Sequence, residues 1–96
     1  MTQVEIQLPK HQKDLLTEEA VLRLGNQLIL ANPNVFLEGV CSVRAGDTST
    51  NGDLWILSLA VNSDEQAIIG FTHKEILRFI VKKFGWSVFD VTFLAA

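Results

Sequence analysis

Side chains that could do chemistry are few and widely spaced in this sequence. It holds one cysteine, Cys41, and two histidines, His11 and His73. No His-x-x-x-His or Cys-x-x-Cys spacing occurs, so a structural zinc site is not expected. No glycine-rich phosphate loop occurs, and no pair of carboxylates is placed for acid–base work. We therefore expect no catalytic residue, no metal and no cofactor, and we interpret the chain as non-enzymatic.

Cys41 lies in the apolar run VFLEGVCSV. In a strand, Leu37, Gly39 and Val43 share its side, which is the side toward the expected core. A buried cysteine at such a position behaves as a small apolar residue. A nucleophile would need exposure and a neighbouring base, and the sequence indicates neither.

The most polar run, RAGDTSTNGD at 44–53, partly matches a calcium loop. Asp47, Ser49 and Asn51 would be its first ligands. Calcium prefers several carboxylates, including a bidentate glutamate at position 12 of the loop, and here that position is Ser58. The Asn-Gly pair is instead typical of a tight turn. We predict that the run joins two antiparallel strands.

A basic stripe is expected on the second predicted helix, where Lys74, Arg78 and Lys82 follow at i, i+4 and i+8. It could contact phosphates or an acidic partner, and a solvated helix face is the alternative. Eight basic and eleven acidic residues give a formal charge of −3, so the whole chain has no general attraction to nucleic acid. Nucleic-acid or anion binding through this stripe is the alternative function.

The first half of the chain predicts a strand and then a helix. Val4, Ile6 and Leu8 alternate with polar residues, which indicates a half-buried strand. Thr17 is a predicted N-cap, followed by two acidic residues at the helix start. The apolar face of this helix is expected to hold Val21, Leu24, Leu28 and Ala31.

The second half predicts two strands, a helix and a closing strand. VFLEGVCSV and LWILSLAV are rich in β-branched and aromatic residues, as strands are. The run AIIGF at 67–71 is compatible with a further short strand. Thr72 and Glu75 have the spacing of a capping box, so we predict that the second helix begins at residue 72 and ends at Gly85. The run SVFDVTFLA is predicted to be the last strand.

The resulting element order, β-α-β-β-(β)-α-β, predicts an α+β fold for a single domain over residues 1–96. We expect a mainly antiparallel sheet of four to five strands with two helices on one face. This order resembles the ferredoxin-like split βαβ plan, a resemblance of element order that spans the chain. Many unrelated activities share that plan. RNA-recognition modules have a similar order, but the third strand lacks their basic and aromatic pattern.

The sheet face that the two helices leave uncovered is predicted to be unusually apolar. Strand alternation sends six large apolar side chains to that face. They are Phe36, Val40, Leu54, Ile56, Val88 and Leu94. A patch of this kind above ~400 Å² usually has a partner. A terminal segment folded over the face, or a register shifted by one residue, are the alternatives.

We therefore interpret the chain as a small protein–protein interaction or regulatory module. The predicted contact is the open sheet face, with self-association to a homodimer or docking of a protein partner. No run of ~18 apolar residues occurs, so no membrane contact is expected. The single cysteine and the absence of signal-peptide features at the N-terminus favour the cytoplasm.

Overall fold

The computed structural model describes residues 2–11, 15–48, 52–85 and 92–94 of this chain. The strands are β1 (Thr2–Pro9), β2 (Phe36–Thr48), β3 (Gly52–Val61) and β4 (Thr92–Leu94). The helices are α1 (Glu18–Ala31) and α2 (Gln66–Phe84). The sheet has the order β2-β3-β1-β4, and each neighbouring pair of strands is antiparallel. The prediction of an α+β fold with an antiparallel sheet and two helices is confirmed.

The core lies between the two helices and one face of the sheet. The alternating side chains Val4, Ile6 and Leu8 of β1 are buried, as their spacing predicts. They pack in one cluster with alternate residues of β3 and with apolar residues of both helices. Trp55 of β3 packs against this cluster, and its indole Nε1 donates a hydrogen bond to the carbonyl of Leu16 at 2.7 Å. That bond satisfies the polar end of the indole while its ring adds to the core.

Helix α1 begins where its capping residue predicts. The Oγ1 of Thr17 accepts a hydrogen bond from the backbone N–H of Ala20 at 3.2 Å, with Glu18 and Glu19 in the first turn. Side-chain capping and acidic residues both stabilise the amino end of a helix. Gly25 and Ile29 are buried, whereas Ala31 is exposed rather than on the buried face.

Helix α2 begins six residues before the predicted capping box, so the prediction of a start at residue 72 and of a strand at 67–71 is wrong. Thr72 is buried in mid-helix, and its hydroxyl donates to the carbonyl of Ile68 at 2.7 Å. A threonine hydroxyl can be satisfied within a helix in this way, so its presence does not mark an end. The helix does end at Gly85, whose φ of 67° is left-handed, as predicted.

Strand β2 departs from regular alternation near its start. Phe36 pairs with Val61, and the next matched pair is Cys41 with Leu59. β2 therefore advances five positions where β3 advances two, and the three extra residues form a bulge that contains Gly39 at φ 78°. Since Val61 and Leu59 both face the helices, Phe36 and Cys41 face them too, although they are an odd number of positions apart.

Candidate interaction surfaces

The bulge overturns the predicted position of Phe36. Its side chain is 4% exposed and belongs to the core cluster, not to the open face, by which we mean the sheet face opposite the helices. Strand alternation placed it on the open face because it assumes regular pairing through VFLEG. Gly39 was the one available signal in that run, since an isolated glycine within a strand often indicates a bulge.

The other residues predicted on the open face differ in how exposed they are. Leu54 and Ile56 lie on the open face by register, but they are 3% and 9% exposed. Val40 is 39% exposed. Register places Leu94 opposite Glu5, and Val88 lies outside the described residues. Among the described residues the open face is therefore not a broad exposed apolar patch.

An ion pair crosses the middle of the open face. The Arg44 Nη1 atom lies 2.6 Å from Glu5 Oε2, spanning β3 from the outer strand to β1. Ser58 lies below the pair, and its Oγ donates to Glu5 at 3.3 Å and accepts from Arg44 at 3.4 Å. This row of hydrogen bonds satisfies the buried Ser58 hydroxyl and gives the face a polar surface there.

Gly46 lets Ile56 lie flat on this face. A Cβ at Gly46 would stand 2.7 Å from the Ile56 Cδ1 atom, so the isoleucine occupies the space that another side chain would fill. Gly46 is on the outer strand β2 and pairs with Leu54 on β3, the next strand of the sheet. Ile56 thus fills the space that Gly46 leaves beside it on the sheet face.

The outer edge of β2 is the longest exposed backbone edge in the part of the chain that the structure describes. β2 is the terminal strand of the sheet, and the other terminal strand, β4, has three residues. From Cys41 to Thr48 the pairing of β2 with β3 is regular. Ser42, Arg44 and Ala45 are exposed along this segment. No described strand pairs with its outer side, so alternate N–H and C=O groups there point outward.

Helix α1 lies close against the inner side of this edge. A Cβ added at Gly25 would stand 2.5 Å from the Cys41 Sγ atom and 2.9 Å from Leu57 Cδ1. Leu22 lies one turn before Gly25 on the same helix stripe and is 40% exposed. Cys41 is half-buried, and its burial raises the pKa of the thiol, so the neutral form is favoured. This matches the expected role of Cys41 as a small apolar residue.

The predicted basic stripe lies on the exposed surface of α2, where Lys74, Arg78 and Lys82 are all exposed. Arg78 donates to the Glu75 carboxylate at 3.1 Å, which neutralises part of the stripe. The stripe borders a groove of about 250 Å³ that runs along the end of α1 at Asn32. The carboxyl end of a helix carries partial negative charge, so this neighbour opposes anion binding.

The described residues form neither a metal-binding cluster nor a membrane-spanning helix. Within the described residues, no three His, Cys, Asp or Glu side chains gather closely enough to hold a metal ion. In that same part of the chain, neither helix has both the length and the apolar composition needed to cross a membrane. Burial lowers the pKa of His73, which favours its neutral form.

The polar run at 44–53 is mostly strand. Thr48 pairs with Gly52, and Asp47 pairs with Asp53, so β2 and β3 are joined as antiparallel neighbours, as predicted. Ser49 and Asn51 of the partial calcium match lie outside the described residues. Polar residues extend into β2 because an outer strand is open to solvent on one edge.

Comparison with known proteins gives no relative: no protein-family model, curated protein or solved structure matches this chain.

Proposed function

We propose that the protein is a small non-enzymatic interaction module that associates with a protein partner along the outer edge of β2. The adjoining part of the open face, at Val40, Ser42 and Arg44, completes the contact. One observation supports this proposal most directly. β2 is a terminal strand of 13 residues, and among the strands described none pairs with its outer side.

An outer strand of this kind can bind by adding a strand to the sheet. Its outward N–H and C=O groups can pair with an extended segment, and alternate side chains can select the partner. Proteins usually protect such edges with bulges, charges or short strands. Here the bulge protects residues 36–39, and Arg44 is turned across the sheet toward Glu5. The regular segment 41–48 has less protection, which supports its use as a binding edge.

The proposed architecture is the ferredoxin-like split βαβ plan with four strands. A helix connects β1 to β2 and another connects β3 to β4, and β2-β3-β1-β4 is the sheet order. This supports the resemblance in element order, and the plan carries no function by itself. We also propose a reducing compartment such as the cytoplasm, on the basis of a single half-buried cysteine.

Anion or nucleic-acid binding through α2 is the second candidate. Exposure of Lys74, Arg78 and Lys82 on one helix surface favours it. The Arg78–Glu75 ion pair and the nearby end of α1 disfavour it. Phosphate contacts weaken steeply with salt, whereas strand pairing with apolar contacts should persist at 0.5 M NaCl. Binding of a single-stranded oligonucleotide that is lost on replacing all three basic residues by serine would favour this candidate.

The edge proposal can be tested with two lysine substitutions on the same sheet face. Ser42 and Gln3 are both exposed, but Ser42 is on the terminal strand, whereas Gln3 is on β1, which pairs with β3 at Gln3 and with β4 from Glu5 to Gln7. A lysine on an edge strand opposes the addition of another strand. Complexes formed in an extract of the source cells should be lost with Ser42→Lys and retained with Gln3→Lys, with circular dichroism confirming that both variants fold. Copies of the chain itself count as a partner in this experiment.

Equal behaviour of the two variants would contradict the proposal. If both retain every complex, the edge is not used. If both lose the complexes while remaining folded, the contact lies on the central part of the open face.

A further inference from the structure

The outer edge of β2 is self-complementary about Val43. We infer that its partner is a second copy of this chain, paired antiparallel along β2 so that Val43 of each copy lies opposite the other. The two sheets then form one continuous sheet of eight strands. This inference rests on the proposed use of the β2 edge and adds the identity of the partner and the register.

Geometry restricts the possible registers to a few. Two identical antiparallel strands are related by a two-fold axis perpendicular to the sheet, and residues directly opposite each other share a sheet face. Because faces alternate along a strand, the axis must lie midway between the two copies of one residue, which are then directly opposite each other. Gly39 has a left-handed φ, so it is a poor member of a regular ladder. The candidate centres are therefore residues 42 to 45.

Side-chain chemistry then separates these four centres. A centre at Arg44 places the half-buried Cys41 opposite Asp47. A centre at Ser42 places Arg44 opposite Val40 and brings Gly39 opposite Ala45. A centre at residue 45 places Val43, which packs toward the core, opposite Asp47.

A centre at Val43 avoids these mismatches. The pairs across the junction are then Val40 with Gly46, Cys41 with Ala45, Ser42 with Arg44, and Val43 with Val43. On the helix side, the half-buried Cys41 and Val43 meet small or apolar residues. On the open face, Ser42 lies opposite Arg44, whose guanidinium is directed toward Glu5 of its own sheet, so the small serine meets the aliphatic part of that side chain.

Helix α1 adds to the same junction. A two-fold axis perpendicular to the sheet keeps both copies of α1 on one face of the continuous sheet. Leu22 lies on the stripe of α1 that includes Gly25, which packs on Cys41 of β2. The second copy would therefore approach this exposed leucine, and covering it adds apolar burial to the strand pairing.

Disulfide trapping tests the register directly. Ala45→Cys introduces a thiol opposite Cys41 of the second copy when the centre is at Val43. Within one chain the two thiols are four strand positions apart, or ~13 Å, which is too far for a disulfide. Mild oxidation of the purified variant should therefore give a covalent dimer that a reductant reverses. The unsubstituted chain should give little covalent dimer, because the Cys41 residues of the two copies are offset along the strands by a similar distance.

Two further variants complete the test, both in a Cys41→Ala background. Val43→Cys should cross-link the two copies, since the two residues 43 lie opposite each other across the axis. Gln3→Cys is the matched control on β1 and should remain monomeric after oxidation. Sedimentation of the reduced, unsubstituted chain should show a dimer that Ser42→Lys weakens, because a lysine on an edge strand opposes the addition of another strand.

The outcomes separate this inference from the proposed function. A purified chain that stays monomeric at ~100 µM, far above the Kd of a specific dimer, would overturn the inference. Edge-dependent complexes in the extract would in that case still support the proposed function with a different partner. A dimer that cross-links through Cys41 alone and not through Ala45→Cys would also overturn the register. Loss of both the dimer and the edge-dependent complexes would reject both proposals.

Discussion

Replacing Gly25 by alanine tests how closely α1 packs on β2. The added Cβ would lie 2.5 Å from the Cys41 Sγ atom and 2.9 Å from Leu57 Cδ1, well inside normal contact distances. Leu57 is fully buried, so it can yield only by disturbing its neighbours. Overpacking of this kind typically costs ~1–3 kcal/mol. Alanine in a helix also gains about 1 kcal/mol over glycine. The expected net result is a loss of roughly 0–2 kcal/mol in the free energy of unfolding, from those two ranges.

Gly70→Ala is the matched control for this change. Gly70 is also within a helix, α2, but a Cβ there would meet nothing within 4 Å. This variant should therefore show the propensity gain alone, about 1 kcal/mol of additional stability. The difference between the two variants measures the packing cost directly, about 1–3 kcal/mol. Urea denaturation followed by circular dichroism gives both values.

Adding Cys41→Ala to the Gly25→Ala chain identifies the contact responsible. It removes the sulfur but leaves Leu57, so part of the packing cost should disappear in a double-mutant cycle. If Gly25→Ala stabilises the protein as much as Gly70→Ala does, α1 does not pack on β2 at this distance. That result would also contradict the position of Leu22 beside the β2 edge.

Three other predictions concern single interactions. Thr72→Ser should destabilise the protein more than Thr72→Val. The serine loses a buried methyl group, worth ~0.8 kcal/mol, whereas in the valine variant the carbonyl of Ile68 still accepts its backbone hydrogen bond within the helix. The reverse order in chemical denaturation would indicate a helix cap at residue 72. Glu5→Gln should cost less than ~1 kcal/mol, since the pair with Arg44 is partly exposed, and the cost should shrink at 0.5 M NaCl. Burial lowers the pKa of His73, so the unfolded chain binds protons more readily and stability should fall as the pH drops through about 6.5. His73→Gln should reduce that fall in melting temperature between pH 7.5 and pH 5.5, and an unchanged fall would assign it to other groups.

The regular elements were predictable because local signals and tertiary packing agree in them. In β1, Val4, Ile6 and Leu8 alternate with polar residues and are buried in the same pattern. At α1, the Thr17 cap and the two acidic residues after it fix the start of the helix. Each of these signals acts within a few residues, so a single sequence is sufficient to read it.

The start of α2 was not predictable from its local signals because two of them conflict. Thr72 and Glu75 have capping-box spacing, but Thr72 continues the buried stripe of Ile69, Ile76 and Ile80. Burial of that stripe against the core decides the outcome, and the threonine hydroxyl is satisfied by a carbonyl in its own helix. Helical spacing across the whole segment was the better guide than the cap motif at its middle.

The register of β2 was beyond a single sequence for a different reason. Its bulge is defined relative to β3, so the three additional residues have no meaning until the two strands are paired. Period-2 alternation assigns sides correctly from Cys41 onward, where the pairing is regular, and incorrectly for Phe36 before the bulge. One unrecognised bulge thus moved a core phenylalanine to the open face and enlarged the predicted apolar patch.

That same bulge separates β2 into two parts with different physical properties. Before Cys41, Gly39 and the additional residues interrupt the edge, which opposes addition of another strand. After it, the strand is regular and exposed, and its protecting charge, Arg44, is paired with Glu5 across the sheet. Departures from local rules are expected where a surface has a task beyond stability. A bulge that confines strand addition to residues 40–46 would set the register of a dimer as well as permit it.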